Sequence, residues 1–171
     1  GMIFAVLFLM RLYWAIVGNH HARAIFVPPV WNGNWWKGLI GQAGYYLFLR
    51  RESALWIGHN PLAQFAMFLM YVLGAIVIIL TGFALFAEQY GWGSPWMGAF
   101  GWVIGLLGSS QMVRTVHHLA MYYLLIFAVV HMYMATREDI MGGQSVIGTM
   151  VSGVRSFKTG AKIEHVDEGA A

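Results

Sequence analysis

Seven histidines, His20, His21, His59, His117, His118, His131 and His165, are the side chains best equipped for chemistry in this 171-residue chain, which contains no cysteine. Without thiolates the chain itself cannot hold a cysteine-ligated cluster, a disulfide or a covalently attached c-type haem, so a redox centre would hang from His or Met. Only His117, His118 and His131 fall inside a long apolar segment, where an ionisable group is costly enough to be read as functional. Fourteen residues of α-helix turn through about 1,400°, about 40° short of four turns, and rise about 21 Å. His117 and His131 are therefore expected on one face of a single helix, at opposite leaflets of a bilayer. That arrangement can hold two haems within a helical bundle, each iron taking one imidazole from this helix and one from a neighbour. The competing reading makes them hydrogen-bonded bundle histidines. His118 sits about 140° from His131 around the helix and is assigned to a neighbouring helix or a haem propionate.

The positioning elements can be read from the same sequence. Of the 171 residues 59% are hydrophobic and 10% charged, against about 25% charged in soluble domains, so lipid is the expected solvent. A first span runs from Met2 to about Gly18, slightly short of the roughly 20 apolar residues that cross a bilayer. It lacks the positive n-region and cleavage site of a signal peptide, and the chain reads as one that begins inside a helix. The polar run 19–23 then forms an interfacial loop, and Pro28-Pro29 stops any helix. Trp31, Trp35, Trp36, Tyr45 and Tyr46, edged by Lys37, Arg50 and Arg51, predict an amphipathic helix over about 34–49 at headgroup level. Asn60 and Pro61 suit the cap and first turn of a second span, about 62–86. A Gly- and Trp-rich segment follows, with a short helix over Pro95 to Leu107, then a third span over about 114–135. A weakly amphipathic helix over Ser145 to Phe157 and a polar, unstructured tail, 159–171, complete the chain. The fold class is an all-α membrane bundle, with residues 1–158 as one membrane domain and no internal repeat.

Lys and Arg in short connections set orientation. Arg23, Lys37, Arg50 and Arg51 lie between the first two spans, and Arg137, Arg155, Lys158 and Lys162 follow the third. Both segments are expected to face the cytoplasm, with 88–111 outside. The net charge of +3 is scattered, which excludes the clustered basic face of a nucleic-acid binder. His20, His21 and His59 then lie on the side where a quinone headgroup would need hydrogen-bond partners and protons, a task suited to imidazole; solvated interface histidines are the bland alternative. Arg11, inside the first span, is assigned to a propionate or to snorkelling at the helix end. Gly74 and Gly82 could leave room for a macrocycle, although small residues also serve plain helix packing. The methionines read as bundle filler rather than axial ligands. Trp92, Trp96 and Trp102 offer either a docking surface for an outer partner or an ordinary aromatic belt.

Several separated motifs sharpen this reading. The stretch 8–23, the segment Gly58-His-Asn-Pro-Leu-Ala-Gln64, the run Leu80-Thr-Gly-Phe-Ala-Leu85, the stretch Thr115-Val-His-His-Leu-Ala-Met-Tyr-Tyr through His131, and Arg137-Glu-Asp-Ile-Met141 together resemble the b-type cytochrome subunit of nickel–iron uptake hydrogenases. The resemblance covers about residue 4 to Lys158. It implies a four-helix anchor in the inner membrane carrying one or two haems b, with His117 and His131 matching two of the family's axial ligands. The other two ligands precede Gly1 in that family, so the resemblance also implies a chain lacking its first helix and part of the second. It implies hydrogenase small and large subunits on the outer face, in a supercomplex of several copies, and electrons passed through haem b to quinone. The subunit would not itself activate hydrogen. Rival readings are the haem anchor of a formate dehydrogenase-like complex, a stand-alone b561-like cytochrome, and a haem-free anchor or transporter whose histidines bind metal ions or move protons. The last lacks the repeated halves and broken helices common in transporters.

Overall fold

The computed structural model describes residues 1–50, 55–56, 59–142, 145–154, 156–157 and 163–164. The chain is an all-α, membrane-associated fold, and among the described residues two helices, Pro61–Gln89 and Ser110–Met141, are long and apolar enough to cross a bilayer. Two compact units divide it: residues 1–18 with 69–127, and residues 19–68 with 128–171.

In the first unit, α1 (Met2–Val17) packs on α5 (Leu73–Gln89). Ala5 and Phe8 are buried on α1, while Gly74, Ala75, Thr81, Ala84 and Ala87 line the buried stripe of α5. Small residues on that stripe let helices approach closely where lipid gives no hydrophobic drive. A Cβ on Gly74 would stand 3.0 Å from Leu124 Cδ2 and 3.3 Å from Tyr123 Cδ1, so this glycine accommodates α7 (Ser110–Met141). Ser94 caps α6 (Pro95–Leu107) by accepting the Met97 N–H, with Pro95 in the first turn. That helix lies along α5 through Phe83 and Phe100, stacked with centroids 4.9 Å apart, and through Trp96 on Phe86. Gly108 ends α6 in the left-handed region at φ +83°, a conformation that favours glycine. Ser109 then accepts the Met112 N–H at the start of α7.

In the second unit, the run 19–23 is partly helical rather than a plain loop: Asn19 caps α2 (His20–Arg23) by accepting the Ala22 N–H. Asn32 likewise caps α3 (Gly33–Tyr46), which ends three residues before the expected limit. Leu47 and Phe48 close it, Phe48 adopting φ +60°. Asn60 caps α4 (Pro61–Ala66) with a 2.7 Å bond from the Ala63 N–H. The buried Trp35 indole donates to Gln64 Oε1 at 2.8 Å, and Gln64 Nε2 donates to the His59 carbonyl. These bonds tie α3 to α4.

Between α4 and α5 the helix widens to a π-helical turn, Met67–Val72, a feature no apolar periodicity announces. The α7 helix runs beyond the expected 114–135 because Thr136–Asp139 are polar yet contain no helix breaker. A shorter helix than expected, α8 (Val146–Ser152), stops at Gly153 with φ +72°. Of the expected tail, Ile163–Glu164 (β2) pair in parallel with Leu55–Trp56 (β1); residues 159–162 and 165–171, His165 included, lie outside the described residues.

Candidate functional site

His117 lines a cavity of about 560 Å³ in the first unit, walled by Met2, Phe4 and Ala5 of α1 and by Ile78, Ile79, Gly82, Phe83 and Phe86 of α5. That volume falls within the ~300–1,000 Å³ typical of small-molecule and cofactor sites, whose walls are mostly apolar with few polar groups. The imidazole is held from behind. Its Nδ1 lies 2.9 Å from Thr81 Oγ1, and Thr81 itself donates to the Val77 carbonyl at 2.7 Å. Gly82 leaves room for the ring, since a Cβ there would lie 3.2 Å from His117 Cε1. Of the two singled-out glycines, Gly82 thus borders the histidine and Gly74 serves helix packing.

A second recess, about 580 Å³, opens beside the first and shares Leu85, Gln89 and His117 with it. His118, Arg114 and Glu88 also line it, and Arg114 Nη2 donates to Glu88 Oε2 at 3.0 Å across an exposed salt bridge. An apolar chamber adjoining a polar recess suits an amphiphilic macrocycle with a polar edge, the chemistry of haem. The residues around His117 fit that group. Arg11 is half-buried on α1 but does not line either cavity.

In the second unit His131 lines a cavity of about 300 Å³ together with His21, Tyr46, His59, Asn60 and Glu138. Asn60 Nδ2 donates to the Tyr46 hydroxyl at 3.4 Å, and that hydroxyl donates to Glu138 Oε2 at 3.3 Å. Burial pushes the Tyr46 phenol above its ordinary value, and the neighbouring Glu138 carboxylate pushes it further. Arg137 is buried beside this cluster, its guanidinium 4.7 Å from the Tyr45 ring centroid and 5.0 Å from that of Tyr46. His20 is exposed and does not line the cavity, whereas its neighbour His21 does. Tyr46, Glu138 and Thr81 escaped the sequence reading as site residues. The quoted motifs around positions 80 and 137 were the only signal for the last two. Among the described residues, no three His, Cys, Asp or Glu side chains are grouped to hold a metal ion.

Of the tryptophans in the 88–111 segment, Trp96 packs on α5, and Trp92 and Trp102 are the more exposed, at 85% and 54%.

The chain matches the family described as prokaryotic cytochrome b561 over residues 1–153. It is 53% identical over 158 residues to a probable Ni/Fe-hydrogenase B-type cytochrome subunit of Azotobacter chroococcum, covering 92% of this chain and 66% of that protein. It is 51% identical over 156 residues to the protein of the same description from Cupriavidus necator, covering 91% and 64% respectively. To the probable Ni/Fe-hydrogenase 1 B-type cytochrome subunit of Escherichia coli K12 it is 44% identical over 162 residues, covering 94% and 68%. The chain thus spans just under two thirds of the length of the first of these relatives. No solved structure matches it.

Proposed function

The chain belongs to the Ni/Fe-hydrogenase B-type cytochrome subunit family, and from that premise we propose that it is the membrane-embedded electron-transfer subunit of a nickel–iron hydrogenase, carrying haem b and serving quinone. The observation that carries the proposal is His117: an imidazole braced by a hydroxyl and standing at the wall of an apolar, cofactor-sized cavity. His117 and His131 are the residues assigned to iron, one to each unit, on a helix whose 14-residue spacing returns the same face. Arg114, which is paired with Glu88, and His118 line the adjoining recess and are the N–H donors assigned to propionates. When bound, haem supplies one-electron chemistry, and the protein tunes it through ligation, hydrogen bonding and burial.

The second cavity is assigned to the quinone side. Quinone reduction consumes two protons as well as two electrons, so the acceptor site needs groups that hold and release them. His59, Tyr46 and Glu138 provide an imidazole, a protonated phenol and a carboxylate around one recess, and Asn60 orients the phenol. Of the three loop histidines expected on this side, His21 and His59 line the recess and His20 does not. In this reading residues 1–158 act as one inner-membrane domain, the intact assembly has four spans, and the basic connections and C-terminus face the cytoplasm. Hydrogenase small and large subunits then dock outside, around Trp92 and Trp102, and the complex assembles in several copies. The relatives' descriptions name hydrogenase rather than formate dehydrogenase, which favours that partner.

The direct test compares reduced-minus-oxidised spectra and pyridine-haemochrome content of the detergent-purified full-length protein with those of His117→Ala and His131→Ala. A b-type spectrum that loses a distinct component in each variant is expected. A colourless wild type, or variants with unchanged haem, would overturn the assignment.

A further inference from the structure

Thr81 belongs to the motif Leu80-Thr-Gly-Phe-Ala-Leu85, and neither the spans nor the cavities explain why a hydroxyl stands there. It is buried, at 3% exposure, on the stripe of α5 that is otherwise glycine and alanine. A buried hydroxyl must find partners, and this one has three within reach: the Val77 carbonyl at 2.7 Å, the Ile78 carbonyl at 3.3 Å and His117 Nδ1 at 2.9 Å.

A threonine hydroxyl has one proton and two lone pairs. A carbonyl oxygen can only accept, so the 2.7 Å contact to Val77 requires Thr81 to donate there, as threonines in helices commonly do to the preceding turn. The proton is then spent, and the 2.9 Å contact to His117 is a hydrogen bond only if the imidazole donates from Nδ1. That constraint places a proton on Nδ1, which in the neutral imidazole leaves the lone pair on Nε2.

We propose that Thr81 is the positioning residue for His117: it sets the imidazole's tautomer and rotation so that Nε2 is presented as an iron ligand. The inference rests on the haem reading of His117 and deepens it. An acceptor behind a ligating imidazole raises the basicity of the ligand and fixes the ring's orientation. It therefore favours the ferric over the ferrous state, and losing it raises the reduction potential of that centre.

The test uses the full-length protein with haem, in three forms: wild type, Thr81→Val and Thr81→Ser. Valine keeps the shape and removes the hydroxyl, while serine restores it. In Thr81→Val the haem component that depends on His117 should titrate at a higher potential. Its transfer to excess apomyoglobin should accelerate about 10–100-fold, the usual cost of losing such a partner. Thr81→Ser should stay close to wild type in both readings, and the component that depends on His131 should not move. If Thr81→Val leaves potential and haem loss unchanged, or if serine fails to rescue them, the role of Thr81 is overturned while the haem assignment stands. If His117→Ala retains every haem component, it is the haem reading itself that fails. The wild type offers an independent reading: in ¹H–¹⁵N spectra of the reduced protein the His117 Nδ1 proton should exchange slowly with solvent, and fast exchange would overturn the bond.

Discussion

The imidazole of His117 occupies the space that a side chain at position 82 would need, a Cβ on Gly82 falling 3.2 Å from Cε1. Gly82→Ala should therefore displace the ring and reduce the haem component that depends on it. Gly74→Ala meets Leu124 and Tyr123 instead, and overpacking of that kind costs about 1–3 kcal/mol. It should lower thermal stability by that order. Haem content and melting temperature, measured on both variants, separate the two roles; a Gly82→Ala protein with a full spectrum would refute the first.

The cavity beside His131 should control quinone chemistry. In the hydrogenase complex, Tyr46→Phe and Glu138→Gln should each slow hydrogen-dependent quinone reduction by about 10²–10⁴-fold if they relay protons, with haem content kept. His20→Ala, at an exposed position outside the cavity, should stay within about twofold of wild type, a range well below the contribution of a proton relay. Equal losses in all three variants would remove the distinction between the cavity-lining residues and His20.

Tyr46 also imposes an alkaline limit. Burial and the Glu138 carboxylate hold its folded-state value above the ordinary 10.0, so above that pH the unfolded chain releases a proton that the folded chain retains. Stability supplied by the neutral phenol is complete below pH 10.0 and declines as pH rises toward the folded value. Melting curves of Tyr46→Phe should be flatter than wild type above that point. Parallel profiles would show that the phenol contributes nothing to the decline.

Orientation can be tested by thiol labelling, since the chain has no cysteine. Trp92, 85% exposed between Gly91 and Gly93, and Trp31, 74% exposed, are suitable positions. Trp92→Cys should react with a membrane-impermeant maleimide in intact spheroplasts. Trp31→Cys should react only after lysis. The reverse pattern would invert the proposed topology.

Elements governed by neighbours in sequence are legible in the sequence itself. Asn60-Pro61 announces its helix because a cap acts within three residues, and the short helix over Pro95 to Leu107 has the expected bounds. The Thr81–His117 contact joins residues 36 apart on different helices, and no periodicity on either helix encodes it. Arg137 and Glu138 read as the polar end of a span, yet both are buried, because the aromatic side chains at the end of α3 cover them. The end of α7 lies beyond the expected 135 for a related reason: loss of apolarity marks the edge of a bilayer, not the end of hydrogen-bonded helix. His21 and His20, adjacent and alike in composition, could be told apart only by which of them turns toward the cavity.

The contact at Gly74 has a consequence for inheritance. Seven residues separate Gly74 from Thr81, a rise of about 10.5 Å along α5, so the seat of Tyr123 and Leu124 on the glycine and the contact of His117 with its hydroxyl share one register between the same two helices. A larger residue at position 74 would have to be matched by smaller ones at 123 or 124, or the bond two turns away would go out of register. Those three positions are thus expected to drift together through descent, as a single heritable character, while the lipid-facing residues around them vary one at a time.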